Sequence, residues 1–93
     1  METVKANLTL NGSNIPFLIA AEDEVFFRDA SKILNDRLIV LLNKYGQFAS
    51  TETLISTIAI EAMADALKAQ DNYERLQEEL NSKLDQLNHR LRE

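Results

Sequence analysis

The chain has no cysteine and no tryptophan, and only one proline and two glycines among its 93 residues. Lack of cysteine removes disulfides, thiolate nucleophiles and cysteine-held metals together. So few turn-formers leave room only for a few long elements. Apolar runs are scarce as well. The longest strongly apolar stretch, Leu38 to Leu42, falls far short of the ~20 residues that span a bilayer. The opening residues Met1-Glu2-Thr3-Val4-Lys5 lack the basic-then-apolar pattern of a secretion signal. The expectation is a cytoplasmic protein with no membrane partner. Positive charge is also in deficit, with fifteen acidic against ten basic residues and a net charge of −5. Up to Gly46 there are five basic and six acidic residues, and beyond it five and nine. Phosphate-backbone binding needs clustered Lys and Arg, so no nucleic acid partner is expected.

Catalytic signatures are missing too. There is no Gly-x-Ser-x-Gly elbow, phosphate loop or His-Glu-x-x-His. His89, the only histidine, lies four residues after Asp85, reads as a solvated helical residue and has no nucleophile beside it. Glu22, Asp23 and Glu24 are consecutive acids without a binding loop, and their position at a helix start explains them through the helix dipole. Asp71 with Arg75 and Glu79 with Lys83 have the favourable i,i+4 order of ordinary surface support. No catalytic residue, metal or cofactor is expected, and the chain does not read as an enzyme.

What is present begins with a hairpin. Val4, Ala6, Leu8 and Leu10 alternate with more polar residues, Asn11-Gly12 intervenes, and Ile15, Phe17 and Ile19 alternate again. Asn-Gly between alternating runs signals a type I′ turn, which needs positive φ at both positions. Residues then pair so that their numbers sum to 23, which puts Leu8 opposite Ile15, Ala6 opposite Phe17 and Val4 opposite Ile19. Register and burial agree. Pro16 falls opposite Asn7, with its missing N–H toward the outer edge, where proline discourages another strand. A two-stranded ribbon needs a surface to pack on. From Glu22 to Tyr45, Phe26, Phe27, Ala30, Ile33, Leu34, Leu38, Leu41, Leu42 and Tyr45 recur at helical spacing. Lys44 lies in the last turn, and Gly46 stands where a left-handed C-terminal cap is expected. Arg28, Lys32, Arg37 and Lys44 make this helix basic, either as a solvated face or as a docking surface for an acidic partner.

Ser50 is the predicted N-cap of a second helix, with Glu52 in its first turn. From there to the end runs a stripe of Ile55, Ala59, Ala62, Ala66, Ala69, Tyr73, Leu76, Leu80, Leu84, Leu87 and Leu91. Steps of four and three in alternation mark a coiled-coil seam. A helix of that length is about 60 Å long, and nothing else in the chain could cover it. The seam therefore calls for further copies of the chain or another partner. At Leu76, Leu80 and Leu84 the step is four and four, a stutter that locally unwinds a supercoil. Alanine layers upstream and leucine layers downstream would match in an antiparallel bundle. A second stripe, Leu54, Ile58, Met63 and Leu67, puts the first turns of this helix into the head core.

The predicted class is α+β. Residues 1–49 form a head, with a hairpin over about 3–20 and a helix over about 22–45. Residues 50–93 form a long coiled-coil helix.

The order of these elements resembles the ZapA family of bacterial cell-division proteins over nearly the full length. The resemblance rests on the strands meeting at Asn11-Gly12, the run Ala30 to Leu38 with Leu34-Asn35-Asp36-Arg37-Leu38, the helix start Thr51-Glu52-Thr53-Leu54, and Ile58-Ala59-Ile60. It implies a homodimer through the heads and two dimers joined by antiparallel coiled coils. It also implies binding to FtsZ filaments, which the family cross-links and bundles at mid-cell. The residues it assigns to filament contact are Asn11, Gly12 and Ser13 at the hairpin tip, and Arg37, Lys44 and Glu52 nearer the joint between the helices. Ser13 stands where the family's tip often has arginine, and Gly46-Gln47 where arginine is typical. Ala59-Ile60-Glu61 replaces the familiar Ala-Leu-Asn, which marks a divergent branch. The alternative is a coiled-coil adaptor with the same head and a different cytoskeletal or scaffold partner.

Overall fold

Asn11 and Gly12 both adopt positive φ, 51° and 80°, as a type I′ turn demands. This computed structural model describes residues 2–92. The turn joins β1 (Thr3–Leu10) to β2 (Ser13–Ala20) in a two-stranded antiparallel sheet. The pairs run from Leu10↔Ser13 to Thr3↔Ala20 and include Asn7↔Pro16, the register read from the sequence. Ala21 N–H extends the ladder by one bond, to the Glu2 carbonyl at 3.0 Å.

The α-helix starts later than the sequence suggests. Ala21–Asp23 form a 3₁₀ turn, and α1 runs Glu24–Tyr45, so Glu22 and Asp23 precede the helix expected from Glu22. Only Glu24 stands in its first turn, 2.8 Å from Arg28. The hairpin lays Ala6, Leu8 and Ile19 against α1, with Val4, Phe17 and Phe27 around them. Phe17 and Phe27 meet edge to face, centroids 5.5 Å apart, an arrangement that adds about 1 kcal/mol to area burial.

One expected feature is corrected at the end of α1. Gly46 is right-handed, φ −60° and ψ −19°, and its N–H still bonds to Leu42 C=O at 2.9 Å. The left-handed cap does not form, because the chain continues turning: Phe48 N–H and Ala49 N–H both reach the Tyr45 carbonyl. Glycine is needed for a different reason. A Cβ at position 46 would run into the Leu42 carbonyl oxygen.

The second helix, α2, runs Thr51–Arg92. Ser50 Oγ accepts from Thr53 N–H at 3.1 Å and caps it, a contact that typically contributes about 1 kcal/mol. Leu54 and Ile58 are buried with Leu38, which is only 2% exposed, and Leu34, Leu41, Leu42, Ala49 and Ile55 surround them. The chain divides into two units after Ile58. In the unit from Ala59 onward all described residues are exposed, including Met63 and Leu67. Among the described residues, no helix is long and apolar enough to cross a membrane.

Candidate functional site

The tip of the hairpin is polar and exposed at Asn11, Gly12 and Ser13. In a type I′ hairpin the pair beside the turn, here Leu10↔Ser13, exchanges its hydrogen bonds inward. Thr9 C=O and Asn11 N–H consequently face away from β2. Both are met by α1. Asn35 Nδ2 donates to Thr9 C=O at 2.6 Å, and Asn35 Oδ1 accepts from Asn11 N–H at 3.0 Å. Ser31 Oγ donates to the same Thr9 carbonyl at 2.7 Å. Across the ribbon, Thr9 Oγ1 donates to Asn14 Oδ1 at 3.2 Å.

The remaining assigned residues fall elsewhere in the same unit. Arg37 is exposed two residues beyond Asn35. Lys44 lies nine residues beyond Asn35, about 13 Å further along the helix at 1.5 Å per residue. Its Nζ stands 5.7 Å from the Tyr45 ring centroid. Glu52 is exposed in the first turn of α2, where a carboxylate suits the helix dipole. Phe48, between these two charges in the joint, is 85% exposed. Of the six assigned residues, three form the tip and two flank the joint, while Arg37, about 200° around α1 from Asn35, lies on a different side of the helix from the one that holds the tip. Of the basic face of α1, Arg28 is engaged by Glu24 within the helix.

The stripe on α2 has two fates. Ile55 is partly buried in the head cluster. Ala59, Ala62, Ala66 and Ala69 are exposed, as are Tyr73, Leu76, Leu80, Leu84, Leu87 and Leu91, which keep between 47% and 75% of their surface in water. Isolated exposed leucines need no explanation, but an aligned apolar row of this length is more than scattered surface exposure. Asp71 and Arg75 pair on the helix surface.

Ser31 and Asn35 are the residues that sequence reasoning left without a role. The available signal was two poor helix formers, four apart, in the middle of a helix and next to Leu34 and Leu38. Among the described residues, no three of His, Cys, Asp and Glu gather to hold a metal.

Residues 6–91 match the family model described as Cell division protein ZapA. No curated protein and no solved structure gives a significant match.

Proposed function

The chain belongs to the ZapA family of cell-division proteins associated with FtsZ, and from that premise we propose that it bundles and cross-links FtsZ filaments. Its role is non-enzymatic. The observation that carries this reading is the exposed row from Tyr73 to Leu91 on α2, which a single chain leaves in water. Joining α2 stripes brings several heads into one assembly. A second head binding the same bundle then acts at an effective concentration set by the assembly, so weak contacts combine into strong cross-linking. Antiparallel pairing of dimers into a tetramer suits the change from alanine to leucine along the stripe. The heads contact filaments through the tip residues Asn11, Gly12 and Ser13 and through Arg37, Lys44 and Glu52. The site of action is the cytoplasm, at the mid-cell division site.

Co-sedimentation with FtsZ and GTP tests the proposal. Native protein should pellet with the filaments and thicken them into bundles visible by electron microscopy. Filaments that neither retain the protein nor bundle would favour a different scaffold partner. The charge reversal Lys44→Glu with Glu52→Lys should lower retention about tenfold. Two exposed charges, each worth roughly 0.2–1 kcal/mol in a paired contact, set that scale. The assembly mass should not change, and a reversed variant that binds like the native protein would remove the joint from the contact surface.

A further inference from the structure

The side chain of Asn35 is bonded as if it were part of a third strand. A strand neighbouring β1 would offer one C=O to Asn11 N–H and one N–H to Thr9 C=O, the two outward groups that flank Leu10. Asn35 supplies both from a single amide, at 3.0 and 2.6 Å. The same Nδ2 also donates to Ser31 C=O one turn back in α1, at 2.8 Å, which fixes the plane of the amide. Ser31 Oγ gives Thr9 C=O a second donor. Apolar packing does less at this end of the hairpin. An open recess of about 150 Å³ lies there, lined by Leu8, Leu10, Ile15, Phe17, Phe27 and Leu34 among others. Ile15 remains 38% exposed. The polar bonds, more than the core, therefore set where the tip sits on α1.

We infer that Asn35 is the positioning residue of the filament-contact tip: its amide pins the hairpin turn at Asn11, Gly12 and Ser13 against α1, so that the tip meets a partner as one preformed face. Preorganisation of this kind strengthens binding by removing the cost of ordering a loop at encounter. The same bonds close the turn end of the β1 edge, while Pro16 closes the edge of β2. This inference rests on the FtsZ reading for its partner but not for its geometry, and the experiment separates the two.

The first arm is amide hydrogen exchange on the full-length protein. Within the turn, Gly12 N–H has no hydrogen bond from α1, whereas Asn11 N–H does. Asn11 should exchange at least tenfold more slowly than Gly12 after correction for intrinsic rates. In Asn35→Ala the two should become equal. Asn35→Asp keeps an acceptor for Asn11 N–H but turns a carboxylate oxygen onto the Thr9 and Ser31 carbonyls, so it should lose part of the protection, whereas Ser31→Ala, whose hydroxyl touches only Thr9, should keep it. The second arm is co-sedimentation with FtsZ and GTP. Asn35→Ala should lose about tenfold in retention with unchanged assembly mass, and Ser31→Ala should lose much less. Leu8→Ala, a core variant that leaves the amide bonds in place, should bind normally well below its melting temperature.

Equal exchange of Asn11 and Gly12 in the native protein would overturn the inference, as would Asn35→Ala binding filaments as the native protein does. If Asn35→Ala does not fold, Asn35→Asp takes its place, and native exchange at Asn11 together with native filament retention in that variant would overturn it equally. If native protein ignores FtsZ, the partner assignment falls, and the exchange arm still decides whether Asn35 holds the tip.

Discussion

Replacing Leu80 and Leu84 together with aspartate should split the assembly while leaving the head folded. In the single chain these leucines are 56% and 47% exposed, so about half of each side chain is left for a second helix to cover. Full burial of a leucine contributes about 1.5–3 kcal/mol, which makes the uncovered half worth about 1 kcal/mol. Two substitutions thus forfeit ~2 kcal/mol per chain. Each aspartate must also be desolvated against apolar neighbours or kept wet by parting the helices, and either adds at least ~1 kcal/mol. The sum, about 4 kcal/mol per chain or about 8 kcal/mol for two joined chains, is between roughly five and six decades in their association constant at 1.4 kcal/mol per decade. Light scattering after size exclusion, at micromolar protein and over serial dilution, should show the native mass replaced by a smaller species. Both positions lie outside the unit that ends at Ile58, so the melting of the head should change only through lost association. Ser82→Asp, on the opposite side of α2, is the matched control and should keep the native mass. An unchanged mass for the double variant at every dilution would refute the seam.

Two further outcomes concern the head. Leu38→Ala removes the most buried member of the cluster with Leu54 and Ile58. It should cost 2–5 kcal/mol, read as a drop in urea midpoint, and a loss under 1 kcal/mol would mean that α1 and the start of α2 are not packed as described. Gly46→Ala should destabilise by about 1–3 kcal/mol, because the added methyl group overpacks against the Leu42 carbonyl. Had only right-handed φ mattered, alanine would instead stabilise by about 0.5–1 kcal/mol, so the sign of the change in urea midpoint decides.

Legibility in the sequence followed the range of the interactions. Asn11-Gly12 and the alternation on either side are local signals, and they led to the turn, the register and the placing of Pro16 opposite Asn7. Ser50 as N-cap was equally local. Gly46 was misread because glycine after a helix usually signals left-handed φ, whereas here the constraint is a collision with a carbonyl four residues back, which no composition rule encodes. The start of α1 shifted to Glu24 because Glu24 N–H bonds to the Ala21 carbonyl three residues back and closes a 3₁₀ turn over Ala21–Asp23. The role of Asn35 was invisible for a different reason. Its partners lie 24 and 26 residues away, and only the packing of hairpin on helix brings them within reach. Ile55 shows the limit of periodicity: it keeps the seam's spacing but is drawn into the head cluster. The tip and joint residues came from family resemblance, since exposed charges and turn polars carry no spacing that identifies a partner.

Within one chain, the apolar residues shut away from water are Ala6, Leu8, Ile19, Leu38, Leu54 and Ile58. So thin an interior leaves little margin for a lone molecule, and stability then becomes inseparable from protomer concentration. Gene dosage would act as a dial: scarce copies stay loose and open to proteolysis, and the usable pool rises more steeply than synthesis does.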